Sequence, residues 1–430
     1  MTGREPESTD RPGLRPVLGR LRGAGPLILL GLLAIWVVAS ASSRSMGFWL
    51  LVPVLAVFAW AVVGLVGGRP ANFFRVLAVL VGLAAAALIL EGILHLAPGI
   101  LRGQIANAAY SGYHTYKGGI YTDDRVMGSR MRPLASRAMY WQGYWWDHET
   151  NTDGYRGVPA TSAEAVFLGD STIYGHGVEV GQTVPARFEL ATDQKTVNLG
   201  QQGLSLVQSL ARLRELGLTM RPETVFVATN ITDLSDLTFW YSEEELAKFV
   251  SSDAAAEYQP TVRESFWSDS RWDLGKVWAD HLALPLRVAG IVEGTVGVWV
   301  KRLLEAPEVT PVRVSVPGEE RDLFGLEAEV EALELLRWRA LRRAMLEIRR
   351  AAESIGAATI FFDIGYPEEY SQAIERLAVD AGGEYSPGGR EAFARSTTGE
   401  DIFLPNDGHW SPNGCAVVAR GLASGALTPD

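Results

Sequence analysis

The sequence predicts an α/β fold, three layers (α/β/α) built on a mostly parallel sheet, preceded by three transmembrane helices. Two observations carry this reading. From residue 164 onward, short apolar runs alternate with segments of helical period, which is the pattern of a parallel sheet covered on both faces. Ahead of them lie three long runs almost free of charge, each close to the roughly 20 residues that span a bilayer as a helix.

The three runs define an anchor over residues 1–98, with spans at about 24–42, 47–67 and 76–97. The first two hold no charged residue, and the third holds only Glu91 and His95. Two further spans follow the first run closely, so it is not a cleavable leader. Arg4, Arg11, Arg15, Arg20 and Arg22 precede the first span, Arg69 and Arg75 separate the second from the third, and Arg44 alone occupies the first hairpin. The positive-inside bias then makes the N-terminus cytoplasmic and exports the chain beyond about residue 98. The expected location is the cell membrane, multi-pass, with the larger domain periplasmic or extracellular and the lipid bilayer as a partner. Glu91 and His95 share one helix face; snorkelling to the outer interface accounts for them better than an intramembrane site.

Residues 99–160 form an aromatic-rich connector that includes Met139-Tyr140-Trp141 and Tyr144-Trp145-Trp146. Interfacial anchoring and a strap packed on the main domain are the two readings of it. The turn Asn151-Thr152-Asp153-Gly154 leads into the main domain, 161–430. There Val166–Leu168, Val197–Leu199, Thr224–Thr229 and Ala358–Asp363 read as strands, and Val184–Ala191 and Glu368–Ala381 as helices. Leu206, Leu210 and Leu213 mark one helix face; Leu333, Leu336, Ala340, Ala344, Ile348 and Ile355 mark that of a long helix. Residues 237–325 interrupt the alternation with Phe239, Trp240, Tyr241, Phe266, Trp267, Trp272, Trp278 and Trp299, an insertion with the character of a cap, lid or partner surface. Its apolar stretch Val288–Val300 is too short to span a bilayer.

Of 430 residues, 47% are apolar, and 39 Lys+Arg stand against 50 Asp+Glu for a net charge of −11. The first 100 residues are basic, with eight Arg and four acids, so the exported part is strongly acidic. That excludes nucleic acid as a partner, since phosphates call for a basic patch. Cys415 is the single cysteine. No Cys/His cluster has zinc-ligand spacing, and no metal or other cofactor is expected.

Ser171 follows a strand and the turn Gly169-Asp170 and leads into helical sequence, which sets its hydroxyl at the carboxyl edge of the sheet. Asp407 and His409 stand two apart, just ahead of Ser411-Pro412, an N-cap with proline at the first helical position. In an extended stretch, side chains two apart point the same way, so Asp407 holds the tautomer of His409 that accepts a serine proton. A serine, a late Asp/His pair and facing donors are the parts of an acyl-transfer site. A capped turn and a buried structural histidine are the bland alternatives.

Taken together, Gly169-Asp170-Ser171, Asn198-Leu199-Gly200-Gln201-Gln202-Gly203, Asn230-Ile231-Thr232-Asp233 and Asp407-Gly408-His409-Trp410 resemble, in order, the four blocks of the SGNH (GDSL-type) hydrolase superfamily. The resemblance covers residues 164–425. It implies a five-stranded, flavodoxin-like parallel sheet, with Ser171 as nucleophile and His409 and Asp407 completing the triad. The amides of Ser171 and Gly203 become oxyanion donors. The short Asp-x-His-Trp block, with the lead-in Asn151 to Arg156, is similar to membrane-anchored members that modify polysaccharide O-acetyl groups. The third block departs from Gly-x-Asn-Asp, with Thr232 in place of the donor asparagine and Asn230 in place of glycine. Thr232 donates through its hydroxyl, or Asn230 reaches in from two residues earlier, or catalysis is weak. Loss of such a donor costs about 2.7–4 kcal/mol of transition-state stabilisation.

The expected function is that of a serine esterase or O-acyltransferase acting on acyl, most simply acetyl, esters of an envelope glycan. Trp410 is the candidate for stacking on a sugar face, with core packing as its competing role. The alternative is an inactive or weakly active glycan-binding or scaffold protein on the same fold. A third reading is a lipase-like enzyme with the insertion as a lid.

Overall fold

The computed structural model describes residues 120–141, 144–252, 258–263, 311–405 and 407–426, with eight further positions between 74 and 93. The expected spans 24–42 and 47–67 lie outside the described residues, as do Glu91, His95, the Val288–Val300 stretch and the insertion tryptophans other than Trp240. In the third expected span the described positions, among them Val81, Ile89 and Ile93, are helical and exposed. Among the described residues no helix is long and apolar enough to cross a membrane. The chain divides into two units, residues 1–100 with 283–307 and residues 101–282 with 308–430; the elements below belong to the second.

Two antiparallel hairpins come first, β1 (Tyr121–Asp124) with β2 (Gly128–Met131) and β3 (Ser136–Trp141) with β4 (Tyr144–Glu149). Then follow β5 (Ala165–Leu168), α1 (Ser171–Tyr174), α2 (Val184–Thr192), β6 (Thr196–Asn198), α3 (Leu206–Arg212), β7 (Thr224–Thr229), α4 (Thr232–Trp240) and α5 (Glu243–Ser251). A third hairpin, β8 (Arg313–Ser315) with β9 (Glu329–Glu331), flanks α6 (Gly318–Phe324). The chain ends with α7 (Ala332–Glu353), β10 (Ala358–Asp363), α8 (Glu368–Asp380), β11 (Glu384–Tyr385), α9 (Gly388–Thr397) and α10 (Pro412–Ala426).

Five strands form one parallel sheet in the order β11-β10-β7-β5-β6. The second strand of this sheet in chain order, β6, pairs on one side of β5, and the later strands pair on the other. Chain direction across the sheet therefore reverses between β5 and β7. A crevice opens at such a switch point beyond the carboxyl ends of the strands. The sheet is α/β and doubly wound, as the alternating pattern requires.

Period-2 alternation splits the strand side chains between two cores. Val166, Leu168, Val225, Val227 and Phe361 face one, closed by α3, α7 and α8; Phe167, Phe226, Ala228, Ile360 and Phe362 face the other, closed by α2, α9 and α10. In the second core Phe167 stacks on Phe226 with ring centroids 4.5 Å apart, and Phe188 of α2 meets both rings edge-on. Continuous apolar strands are what a sheet buried on both faces demands.

Met131, Met139, Trp146 and Tyr155 join the first core, so residues 120–160 pack on the sheet domain. Trp145 on the opposite face of β4 is exposed. The stripe of α7 is rotated from the sequence expectation. Leu335, Trp338, Leu341 and Met345 are buried together with Ala340, Ala344 and Ile348. Leu333 and Leu336 are only half-buried, and Ile355 lies past the helix end. Leucine counts the same on either flank of an amphipathic stripe, so periodicity alone does not settle which flank is central.

Replacing Phe226 by alanine empties the space between two rings and is expected to cost ~3–5 kcal/mol of stability. The check is the denaturation midpoint read by tryptophan fluorescence.

Candidate active site

Gly169 ends β5 with φ +154, and a Cβ there would come 2.7 Å from Ile173 and 3.2 Å from Ala228. Only glycine lets the chain turn this tightly against β7. Asp170 then caps α1, accepting from the Thr172 amide at 2.9 Å, and Ser171 opens the helix half-buried. The loop after β6 lies directly on this turn. Asn198 donates from Nδ2 to Ile173 O at 2.8 Å and accepts the Gly200 amide at 3.0 Å, while the Gln201 amide donates to Gly169 O at 3.2 Å.

The late block is held between paired backbone segments: Leu404 N donates to His409 O and Ser411 N to Ile402 O, each at 2.8 Å. Between them the chain bends, and Asp407 Oδ1 accepts the His409 amide at 3.0 Å. This is an Asx turn, not the extended stretch that sequence spacing suggests. Gly408 belongs at its tip, because a Cβ there would lie 2.3 Å from the Tyr366 hydroxyl. Ser411 accepts the Gly414 amide at 3.1 Å and caps α10, with Pro412 as its first residue.

These two turns bring the three expected triad residues together. His409 Nδ1 donates to Asp407 Oδ1 at 2.5 Å, and His409 Nε2 accepts from the Ser171 hydroxyl at 2.7 Å. A hydrogen-bonded nucleophile, base and orienting acid in line is the arrangement that activates a serine. Tyr144 of β4 donates to the other oxygen of Asp407 at 2.5 Å. Burial alone would raise the Asp407 carboxyl. The hydrogen bond and charge of His409, with the Tyr144 hydroxyl and the nearby His176, hold it below the usual carboxylate range instead. Burial, followed by the Asp407 hydrogen bond, pushes the Tyr144 phenol up, so it stays a donor.

His176 occupies the other side of His409, with ring centroids 4.3 Å apart and planes 29° from parallel. Burial, then the charge of His409, pushes its pKa down to about 3 from 6.5. His176, Asp407 and His409 are the one group of ligand-type side chains within 4.8 Å of one another among the described residues. Stacked imidazoles aim their in-plane lone pairs side by side, and Asp407 Oδ1 is already taken by His409. A metal ion would have to break the Ser171–His409–Asp407 chain to bind.

Of the four expected oxyanion donors, the amides of Ser171 and Gly203 donate to no acceptor among the described residues. Gly203 has φ +70, and its carbonyl accepts from Trp240 Nε1 at 2.6 Å. The other two expected donors are engaged with their neighbours. The Thr232 hydroxyl donates to Asn230 Oδ1 at 2.5 Å, and Asn230 Nδ2 donates to Asp170 Oδ2 at 2.5 Å. Behind them Asp233 accepts the Asn230 amide at 2.9 Å, and burial followed by the charge of Asp170 raises its carboxyl well above the usual range.

Trp410 is corrected from sugar-stacking candidate to core residue. Its side chain is 2% exposed, packed with Phe362, Ile402 and Cys415, and no ring face is left for a ligand. Tyr144, His176 and Gln202 are the site residues that the sequence did not single out.

Unfolded histidine binds a proton below about pH 6.5, whereas buried His176 does not until far lower pH. In that window the unfolded state holds the extra proton, so stability falls as pH falls, by at most ~1.4 kcal/mol per pH unit. Between pH 6.5 and 4.5 the thermal midpoint of His176→Phe is therefore expected to drop less than that of the parent. Parallel slopes would contradict the burial of an uncharged imidazole. Asp407, held low, adds its own loss only below its ordinary value of 3.8.

No protein-family model matches the sequence, and no curated protein matches it. Among solved structures, the chain is similar to a catalytic mutant of Axe2, an acetylxylan esterase from Geobacillus stearothermophilus, at 10% identity and a TM-score of 0.32, covering 63% of this chain and 97% of that one. It is also similar to a GDSL-like lipase from Parabacteroides merdae (10% identity, TM-score 0.31, 63% and 99% covered). A third is LAE5, an alpha/beta hydrolase enzyme from the metagenome of Lake Arreo, Spain (13% identity, TM-score 0.31, 63% and 99% covered). At these identities no residue role passes from them to this chain.

Proposed function

We propose that the chain is a membrane-anchored serine esterase or O-acyltransferase acting on acyl, most simply acetyl, esters of an envelope glycan. The supporting observation is the continuous hydrogen-bonded line from Ser171 Oγ through His409 to Asp407. In this reading Ser171 Oγ attacks the ester carbonyl while His409 Nε2 takes the hydroxyl proton. The amides of Ser171 and Gly203 receive the charge that develops on the carbonyl oxygen. The tetrahedral intermediate collapses, His409 returns the proton to the departing sugar oxygen, and the acyl group stays on Ser171. Water, or for transfer a second sugar hydroxyl, then attacks the acyl carbonyl as His409 takes its proton, and collapse breaks the bond to Ser171 Oγ, which receives that proton from His409. The His409 side chain is 26% exposed, open to either acceptor. The charge asymmetry of residues 1–100 supports placing this chemistry outside the cytoplasm.

The engaged Thr232 hydroxyl favours a second reading, a glycan-binding scaffold with little turnover. A serine-directed fluorophosphonate separates the two. Labelling that disappears in His409→Ala supports the enzyme, and a chain that never labels supports the scaffold.

Ser171→Ala is expected to reduce acetate release from a chromogenic acetyl ester to background, a loss of at least ~10³-fold in kcat. Turnover at the parental rate would overturn the assignment. Thr232→Val separates the candidate third donors: with its hydrogen committed to Asn230, its loss is expected to lower kcat by less than about tenfold. A true oxyanion donor would cost about 10²–10³.

A further inference from the structure

We propose that His176 is a positioning residue for the reaction, an imidazole wall that fixes the plane of His409 and packs beside Asp407. The inference rests on the esterase reading above.

Its tautomer is set by a short relay. The Tyr121 hydroxyl donates to Gln202 Oε1 at 2.7 Å, which turns the amide nitrogen of Gln202 toward His176 Nδ1 at 2.6 Å. Nδ1 accepts, so the single proton of the neutral ring is on Nε2. That nitrogen lies 3.9 Å from Asp407 Oδ2, the oxygen already bonded to Tyr144. His176 is itself flanked by two rings, His409 stacked at 4.3 Å and Trp146 at 4.6 Å with its plane tilted by 54°. Its side chain is only 11% exposed.

The chemistry follows from the stack. His409 is one flexible torsion away from losing its line to Ser171, and a ring lying flat against it restricts that rotation. When His409 takes the serine proton it becomes a cation against the π-face of a neutral ring, which attracts it. A second imidazolium there would repel it. Burial is what keeps His176 uncharged through the working pH range.

The test uses the full-length protein and a chromogenic acetyl ester. His176→Ala is expected to lower kcat by roughly 10- to 100-fold with KM changed less than about twofold, the signature of lost alignment and not of lost binding. His176→Phe, which keeps a flat ring, is expected to recover kcat to within about fivefold of the parent. Histidine-labelled ¹⁵N NMR is expected to show one imidazole locked as the Nε2–H tautomer, released in Gln202→Leu. Parental kcat in His176→Ala, a folded phenylalanine variant as slow as the alanine variant, or no locked imidazole would each overturn the proposal. Retained turnover in Ser171→Ala would instead defeat the esterase reading itself, so the two failures are distinguishable.

Discussion

The contact between Ser171 Oγ and His409 Nε2 joins groups 238 residues apart, and the rest of the site exists to keep that distance at 2.7 Å. Two rigid supports converge on it. One is the end of β5, a fully buried central strand whose register with β7 places the Gly169 turn against Ala228. The other is the bend from Ile402 to Ser411, clamped at its base by backbone hydrogen bonds and at its far end by the cap of α10. Neither support bends without breaking buried pairs. The line is thus formed by the fold itself, with no ligand needed to draw it together.

The hairpins ahead of the sheet form the back wall of this site. Arg156 is 1% exposed and spends both terminal nitrogens on four carbonyls, those of Asp147, Tyr174, Gly175 and Val178. A buried guanidinium is tolerated because so many acceptors replace water. In return it ties β4, which carries Tyr144 and Trp146, to the turn that presents His176. Gln201 performs the matching task for β2, donating to Ser129 O at 2.9 Å and accepting the Met131 amide at 3.2 Å. The lead-in from Asn151 to Arg156 thus acts through geometry: through Arg156 it fixes where β4 meets Asp407.

What the sequence shows of all this follows from how local each signal is. The strands of the parallel sheet are legible because burial on both faces leaves continuous apolar runs, and β7 and β10 match their expected bounds residue for residue. Ser171, Asp407 and His409 are legible because each brings its own turn chemistry. Tyr144 is not, since its partner Asp407 is 263 residues away and an aromatic beside two tryptophans looks like packing. His176 is hidden for the same reason; its stacking partner is remote in sequence. Trp410 misleads because a residue beside His409 in sequence points across the backbone from it, and in this loop across means into the core. The shift of the α7 stripe has a similar origin, because composition does not tell which leucines face the sheet.

Asn230 and Thr232 show a different kind of limit, in which residue types are legible and their use is not. Asn230 carries both a donor and an acceptor, and each is taken: Nδ2 by Asp170 and Oδ1 by both the hydroxyl and the amide of Thr232. Asp170 is 5% exposed beside Ser171. Donation from Asn230 and from the Thr172 amide ties its carboxyl into the turn. The side chains of Asn230 and Thr232 are thereby committed to each other and to Asp170, where they hold the turn that carries Ser171, while the amides of Ser171 and Gly203 stay uncommitted among the described residues. Backbone donors of this kind are set by the sheet and the tight glycine turns at Gly169 and Gly203, not by side-chain rotamers.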